Sequence, residues 1–587
     1  MRGTKAILAV VALAAVFGLT SAANAQGVKF MGVGSSAMFN AVAVGAFSDI
    51  CSARSGSDCR HYSISGKNTG DNQNFAQAFD SRNSGIPVEG GTLWVVWDNN
   101  TSPISVWAYL SVDSVVGNRC FFAKPRCSLQ VDSGVLTTPG QNKVAASIML
   151  NRQTNLTQAD ETSLPSTVVT AVQTSFTAAL TDIRPEDAKY ATKRILAAYN
   201  ATNLNGLGYG SPSTNCPAAT ALIGCQIKGT WGGAATPVQF VLSGHKDPFT
   251  LSLTPPTTTI PVGAAPIIFV YNNTGPGLSG GGFKDITYTV AGNVFSGTKG
   301  LASDLPGGVG ANPLSVILRE PLSGTMNTTE FNVFRVRLSP NFASPQKSQE
   351  KGINLATGAC PGLGCPNPLD LASTDGGTRF RAIGTGAVIS GVTGVGGIKN
   401  LADSIGYAFF SFGNVSAIAG STGVGRYVTL DGVDGIATTY SNGVLPTCTA
   451  PCPATAGTSF PHLRDGSYRA WSILRLVTDK SGSNLTNAQA LVTAAQNEIN
   501  ATVPDFVPAV ATPDGDPGMP YLRSHFQIGG VTSGTISNSP ENGGDVGGCP
   551  FKIGGPNASF INVHLNGNKL ITGGWPGGAC DLTPGHN

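Results

Sequence analysis

Charged side chains are scarce in this chain. They make up 12% of its 587 residues, about half of the roughly 25% that soluble domains usually carry. The 36 Lys and Arg residues nearly balance the 33 Asp and Glu residues, which leaves a formal charge of +3. No broad positive field therefore exists to attract a nucleic acid backbone or an anionic membrane. We expect no nucleic acid partner.

The usual signatures of metal and hydrolytic sites are also missing. No two cysteines have CxxC spacing, no HExxH pair occurs, and the six histidines show no ligand spacing. Zinc coordination and metalloprotease chemistry are therefore not indicated. No catalytic base stands beside a serine in an evident hydrolase motif. We expect neither a cofactor nor a metal, and we expect that the chain is not an enzyme.

Long hydrophobic runs are absent after the first 25 residues. The chain starts with the basic residues Arg2 and Lys5, continues with the apolar run Ala6–Leu19, and reaches the small-x-small sequence Ala23-Asn24-Ala25. This order is typical of a secretory signal peptide, and the run is shorter than a membrane span. Residues 1–25 are predicted to be cleaved near Ala25, leaving a periplasmic or secreted protein.

The twelve cysteines support export. All lie after the predicted cleavage site, and they form near-neighbour couples: Cys51 and Cys59, Cys120 and Cys127, Cys216 and Cys225, Cys360 and Cys365, Cys448 and Cys452, Cys549 and Cys580. An even, clustered count in an exported chain favours disulfide bonds over metal binding. Connectivity does not follow from spacing alone, so the pairing within couples is a hypothesis.

Strand and helix patterns alternate along the chain. Apolar runs predict strands at Val28–Gly32, Leu93–Trp97, Val106–Val112, Ala265–Tyr271, Ser315–Leu318 and Ile405–Phe412. Helical patterns begin near Ala37 and after Thr325, and cover 165–180, 186–200 and 487–501. This alternation indicates an α/β fold with a largely parallel sheet. With 76 Gly and 37 Pro residues, long insertions are expected, including a surface insertion over 204–260.

One strand-to-helix turn has the chemistry of an oxyanion site. In Arg319-Glu320-Pro321-Leu322-Ser323-Gly324-Thr325, two hydroxyls and a glycine precede a helix. Gly324 permits close approach of the backbone, Ser323 and Thr325 supply hydroxyl groups, and Arg319 supplies a forked cation. The alternative is an ordinary Ser/Thr helix cap with a surface arginine.

Two further turns repeat parts of this arrangement. Gly32-Val33-Gly34-Ser35-Ser36 follows the first strand and opens a helix, so Ser35 and Ser36 either bind an anion or cap the helix. Asp182 ends an apolar run before a turn, where a helix cap is the alternative to a ligand contact. A carboxylate among donors would require a proton on the ligand, which favours phosphate over sulfate.

In order along the chain, these segments resemble the periplasmic phosphate-binding proteins of ABC importers, which are class II solute-binding proteins. "ILREPLSGTMNTTEF" is similar to the family's strand–Arg–Ser-Gly-Thr–helix motif, and "GVGSSAMF" resembles its first Gly-rich turn. "AALTDIRPEDA" is similar to the segment whose aspartate accepts the phosphate proton. "YLSVDSVVGNR" resembles the loop that contributes a serine, here Ser114. "DSIGYAFFSF" is similar to the strand that returns to the first lobe.

The resemblance implies a two-lobed periplasmic-binding-protein type II fold with Gly/Pro-rich insertions. The first lobe would comprise 26–270 and 405–587, and the second 271–404. Inorganic phosphate or a related small oxyanion would bind between the lobes, and an ABC importer membrane complex would be the partner. The carboxylate of Asp113 departs from the family pattern and would either repel a doubly charged anion or face solvent.

Two other classes of function remain open. A secreted surface or matrix protein that retains the fold without a ligand would fit the large insertions and the many cysteines. A secreted phosphatase-like hydrolase would need a serine with a base that activates it. Anion titration separates the first alternative from a binding protein, and turnover of a phosphate ester would reveal the second.

Overall fold

A computed structural model describes part of the chain: residues 27–64, 75–81, 87–144, 159–183, 222–228, 236–241, 257–280, 282–319, 323–329, 333–334, 371–372, 375–382, 384–393, 402–411, 424–437, 457, 459–468, 470–500, 505–513, 515–519, 521–522 and 551–552. The predicted signal peptide and the predicted helix at 186–200 lie outside these residues. Within them, no helix combines the length and the hydrophobicity that a membrane span requires.

The fold is mixed α/β and is organised around a 14-stranded mixed sheet. Its strands, with those of three small sheets, are β1 (Val28–Ser35), β2 (Cys59–Ile64), β3 (Ala76–Phe79), β4 (Pro87–Gly90), β5 (Thr92–Asp98), β6 (Ser105–Val112), β7 (Ser128–Val131), β8 (Ala178–Thr181), β9 (Leu222–Lys228), β10 (Thr236–Val241), β11 (Thr257–Asn272), β12 (Asp285–Ile286), β13 (Ser315–Arg319), β14 (Leu371–Ala372), β15 (Thr378–Ala382), β16 (Ser404–Phe409), β17 (Gly425–Leu430), β18 (Trp471–Asp479), β19 (Val507–Pro508), β20 (Tyr521–Leu522) and β21 (Phe551–Lys552). The order across the large sheet is β14-β15-β13-β16-β11-β18-β8-β1-β6-β5-β2.

The α-helices lie mainly between strands of the large sheet. They are α1 (Phe39–Gly45), α2 (Ser114–Phe122), α3 (Ser166–Val172), α4 (Tyr288–Phe295), α5 (Gly324–Thr329), α6 (Gly384–Thr393), α7 (Pro461–Arg464) and α8 (Ser483–Asn500). A 3₁₀ turn at Ser36–Met38 precedes α1, and a π-helical turn at Ala46–Cys51 follows it. The α/β class predicted from the sequence is confirmed, as are the strands and helices predicted around the Gly/Ser turns.

The long strand β11 connects the two halves of the sheet. Its first part, Thr257–Pro266, pairs antiparallel with β18, whereas Ile267–Tyr271 pairs antiparallel with β16. The first half contains β18, β8, β1, β6, β5 and β2, and the second half contains β16, β13, β15 and β14. We call these the first and second half-sheets.

The expectation of a largely parallel sheet is wrong. β1 pairs in parallel with β6 and β8, and β13 pairs in parallel with β15 and β16. However, β11, β18, β5 and β2 run antiparallel to their neighbours. The short turn between β5 and β6 leaves no room for a crossover helix, so those strands form a hairpin.

Two other expectations need correction. The helical pattern over 165–180 holds only for α3, because Ala178–Thr181 forms β8 between β1 and β18. Its small apolar residues suit a strand buried on both faces, so sheet pairing overrides local helix propensity. The predicted insertion over 204–260 ends too late, since β11 begins at Thr257 and pairs there with β18.

Hydrophobic cores cover both faces of the first half-sheet. Phe30 and Tyr109 belong to one core, where α1 packs against α8, and this core continues into the second half-sheet. Met31, Val33 and Leu110 belong to the other core, with residues of α2 and α3. This alternation along β1 follows from the two-residue period of a strand. The parallel strands are therefore anchored by apolar packing on both faces.

Two disulfide bonds are present among the described residues. Cys51 bonds to Cys59, and Cys120 bonds to Cys127, as expected for adjacent couples. The side chains of the other eight cysteines lie outside the described residues. Cys51–Cys59 joins the π-helical turn to the edge strand β2, so it fastens one end of the first half-sheet.

Two glycines allow close packing around the end of β1: Gly34 against β8, and Gly117 between α2 and β1. Gly34 has a φ of +139°, and an added Cβ would lie 2.0 Å from the carbonyl oxygen of Leu180 in β8. On the other side, a Cβ on Gly117 of α2 would lie 2.6 Å from the Gly34 Cα atom. A side chain at Gly34 would therefore collide with β8, and one at Gly117 would push α2 away from β1.

We predict that Gly34→Ala lowers the free energy of unfolding by about 3 kcal/mol or more, because backbone strain and overpacking add. Urea denaturation of the purified protein measures this loss. Gly56→Ala is the matched control: its φ is +71°, but no atom lies within 4 Å of the new Cβ, so about 1 kcal/mol is expected. Equal losses in the two variants would contradict this account.

Candidate functional site

Polar side chains converge where the parallel strands of both half-sheets end. β1 leads to Ser36, β6 to Asp113 and β8 to Asp182, and these three strands are neighbours. In the second half-sheet, the parallel strands β13 and β15 lead to the other members. We call the group the corner cluster; it consists of Ser36, Asp113, Ser114, Asp182, Arg319, Thr325 and Thr385.

Arg319 is the only cation of the corner cluster. The residue is 2% exposed. Three of its N–H donors reach oxygen atoms from three different corners, a corner being the point where a strand of the sheet ends and the next helix or turn begins. Nη1 donates to the hydroxyls of Thr325 and Thr385, each at 3.4 Å, and Nη2 donates to Asp113 Oδ1 at 3.0 Å. A buried cation is tolerated only where such acceptors replace water. The surface-arginine alternative is therefore wrong.

Asp182 supplies a further carboxyl group to the corner cluster. Its carboxylate accepts hydrogen bonds from the hydroxyl of Ser114 and, at 3.3 Å, from the hydroxyl of Thr325. Burial raises the pKa of Asp182 above its ordinary value, although the Ser114 hydrogen bond and the charge of Arg319 act in the opposite direction. Because the carboxyl group is buried, its protonated form is favoured more than in water.

Gly324 brings α5 against this carboxylate. A Cβ added to Gly324 would lie 1.7 Å from Asp182 Oδ1 and 2.7 Å from Ser114 Oγ. No side chain fits in that space, so the residue at this position must be glycine if α5 is to begin there. Because Gly324 has no side chain, α5 can begin close to Asp182, and Thr325 then lies beside that carboxyl group.

Hydrogen bonds cross between the two half-sheets. The hydroxyl of Ser36 lies 3.3 Å from that of Thr385 at the start of α6. The Arg319–Asp113 ion pair and the Thr325–Asp182 hydrogen bond also join one half-sheet to the other. Three separate bonds therefore link the corners that face each other across the group.

Two predicted ligand residues have local roles in this structure. Ser35 Oγ accepts from the backbone N–H of Ala37 at 3.2 Å, and Ser323 Oγ accepts from that of Met326 at 3.3 Å. Both serines thus cap the turn or helix that follows them, as the alternative interpretation proposed. They lie beside the corner cluster, next to Ser36 and Gly324.

Sequence reasoning left Asp113 open and missed Thr385. Asp113 is 2% exposed and pairs with Arg319, so of its two alternatives the solvent-facing one is wrong. Thr385 follows β15 in "FRAIGTGAV", which is another strand, Gly-Thr-Gly turn and helix. The two arginines within β15 made this strand harder to recognise than its apolar neighbours.

A second layer of hydrogen bonds holds the corners in place. Asn118 donates to the carbonyl of Ser114 at 2.9 Å and to the hydroxyl of Thr181 at 3.0 Å. Ser472 on β18 donates to the carbonyl of Asp182 at 2.7 Å. Tyr109 donates to the carbonyl of Ser35. These bonds fix the backbone of three corners, so the hydroxyl groups are held before any ligand arrives.

Metal ligation has one geometric candidate among the described residues. The sulfur atoms of Cys51 and Cys59 and a carboxylate oxygen of Asp98 lie within 4.8 Å of one another. However, the two sulfurs are bonded to each other, and Arg54 donates to Asp98. The group therefore offers no thiolate to an ion.

Several solved structures are similar to this chain, although no protein-family model and no curated protein sequence matches it. An ABC-type phosphate transport receptor from Vibrio cholerae is 11% identical; the match covers 44% of this chain and 74% of that one, with a TM-score of 0.24. A phosphate-binding protein from Stenotrophomonas maltophilia is 14% identical over 57% of this chain and 71% of that one, with a TM-score of 0.25. An ancestral soluble variant of the human phosphate-binding protein is 13% identical over 64% and 87%, with a TM-score of 0.27. Because both the sequence identities and the TM-scores are low, these structures show only a distant similarity of fold.

We predict that Asp182→Asn changes how stability depends on pH. Because the native pKa of Asp182 lies above 3.8, its contribution is fully present below that value and is lost as the pH rises through the native pKa. As the pH rises above about 4, the wild type should therefore lose stability relative to the variant. Urea denaturation across this range measures the difference; a pH-independent difference would contradict the raised pKa.

Proposed function

We propose that this chain is an exported solute-binding protein that captures phosphate or a related small oxyanion at the corner cluster. The observation that carries the proposal is the convergence of hydroxyl groups from three corners, those of Ser114, Thr325 and Thr385, on the buried guanidinium of Arg319 and the carboxyl group of Asp182. These corners are remote in sequence. An arrangement of fixed donors around one cation is what recognition of a small anion requires.

The donor set fits an oxyanion with several oxygen atoms. Ser36, Ser114, Thr325 and Thr385 each carry a hydroxyl that rotates, and Arg319 carries directed N–H groups. In a buried site such donors replace the hydration of the anion, and their effect is larger than in water. The near-neutral composition of the chain is therefore compatible with anion binding, since recognition here is local.

Asp182 gives the proposed site a preference among oxyanions. A carboxylate accepts protons but has none to donate when ionised, so it pairs with a ligand that carries a hydroxyl. Phosphate and arsenate carry such a proton near neutral pH, whereas sulfate does not. Asp182 therefore favours phosphate-like anions over sulfate.

We further propose that the two half-sheets belong to two lobes that close on the ligand. The bounds expected from the sequence, 26–270 with 405–587 and 271–404, need one adjustment: β16 and the part of β11 from Ile267 onward lie in the second half-sheet, so we assign them to the second lobe. The change of partners along β11 supports this division. Delivery to an ABC importer is proposed from the motif resemblance alone. Export is proposed from the signal-peptide pattern and from the two disulfide bonds, which are typical of oxidising compartments.

Titration calorimetry with phosphate, arsenate and sulfate tests the proposal directly. We expect saturable phosphate binding that Arg319→Ala weakens by at least about 2–3 kcal/mol, because the anion loses a charge-assisted hydrogen-bond donor. Arg319→Lys should lose part of this affinity, since it keeps the charge but not the fork. Thr385→Val tests the same site without removing a charge, in case the arginine variants fold poorly.

Arg126→Ala is the matched control, because Arg126 is a partly exposed arginine that pairs with Asp479 and stacks on Phe121. It should bind phosphate like the wild type. Absence of binding of all three anions to the wild type would contradict the proposal and would favour a surface protein without a ligand. Turnover of a phosphate ester by the pure protein would instead indicate a hydrolase.

A further inference from the structure

Asp113 has an unusual position for an aspartate at the start of a helix. It is the residue that precedes α2, where such side chains normally cap the backbone N–H groups of the helix. Here the side chain makes no capping hydrogen bond. Instead its Oδ1 atom accepts a hydrogen bond from Arg319 Nη2 at 3.0 Å. Arg319 lies in the opposite half-sheet and is 206 positions away in the sequence.

The ion pair is buried on both sides. Asp113 and Arg319 are each 2% exposed, so water screens their charges poorly. Asp182 adds a second carboxyl group, which Thr325 connects to the same guanidinium. The corner cluster thus contains two acidic groups and one cation, and its side chains have more negative than positive charge when both carboxyl groups are ionised.

Geometry places any anion on this guanidinium close to Asp113. An oxygen atom that accepts from the same Nη2 atom lies about 3 Å from it. It therefore lies no more than about 6 Å from Asp113 Oδ1, because that atom is itself 3.0 Å from Nη2. Like charges at such a distance repel strongly in a buried site, and an oxygen that carries a proton avoids the repulsion by donating to the carboxylate.

We propose that Asp113 determines the charge state of the ligand, so that the corner cluster accepts a singly charged, protonated oxyanion and rejects a doubly charged one. This inference rests on the proposed function and names its ligand class more closely: dihydrogen phosphate or dihydrogen arsenate. Asp113 and Asp182 each accept a proton of the ligand, from the sides of β6 and β8 respectively. Asp113 also competes with a dianion for the guanidinium.

The test compares Asp113→Asn with the wild type in calorimetric titrations with sulfate and with phosphate at one fixed pH near neutrality. The substitution preserves the shape of the side chain and its acceptor oxygen but removes the charge. We expect sulfate affinity to rise on the order of tenfold or more, with a fall in the ratio of phosphate to sulfate affinity. Asp113→Ser, which also suits a helix start, serves if the first variant folds poorly.

Asp132→Asn is the matched control. Asp132 also precedes a helical turn, but its carboxylate caps the backbone N–H of Gly134 at 2.7 Å, so the anion affinities should not change. Thermal unfolding of all variants is measured in parallel. A purely structural role for Asp113 would lower stability and weaken phosphate and sulfate alike.

The outcomes separate the inference from the proposed function. Wild-type binding of phosphate with an unchanged affinity ratio in Asp113→Asn, or with both anions weakened equally, would overturn the inference alone. Sulfate binding that is seen only in the variant would support it, because it would show that the carboxylate excludes the dianion. If neither protein binds any of the anions, the inference and the proposed function are both overturned.

Discussion

The burial of one guanidinium group is the constraint on which the rest of the site depends. A cation removed from water must be surrounded by acceptors, and Arg319 obtains them from three corners: Asp113, Thr325 and Thr385. Each of these residues ends a different strand or begins a different helix. Their positions are therefore linked, because moving any one corner would leave a buried N–H group without its acceptor.

The sheet makes this convergence possible. The carboxyl ends of β1, β6 and β8 lie side by side because those strands are parallel, and β13 and β15 do the same in the second half-sheet. Open α/β sheets commonly place ligands at this edge. Glycines complete the arrangement: Gly34 lets β8 lie close to β1, Gly117 lets α2 approach β1, and Gly324 lets α5 approach Asp182.

The sequence predicts where the strand-to-helix corners lie better than it predicts which side chains from different corners contact each other. Runs such as "SVIL" and "APIIFVY" are apolar enough to indicate buried strands, and the Ser-Gly turn after "SVIL" indicates where α5 begins. The pairing of Asp113 with Arg319 joins residues 206 positions apart, and no local pattern specifies such a contact. The local sequence pattern over 165–180 predicts a helix that includes most of β8. The strand forms because these residues pair with β1 and β18, which are remote in sequence. For Ser35 and Ser323 the sequence leaves two roles open, helix capping and ligand binding, because both roles use the same hydroxyl group.

The shared strand β11 has a mechanical consequence. Where it changes partners, the Pro266 carbonyl accepts from Phe410 N at 2.7 Å, and Ile267 N donates to the carbonyl of Ala470 at 2.6 Å. The ladder thus continues through the junction, whereas hinges usually lie in loops or at the ends of elements, which absorb large changes in φ and ψ. Any rotation of one half-sheet relative to the other must therefore be spread over several residues of β11. The strand would bend and twist elastically along its length and would not rotate at a single residue.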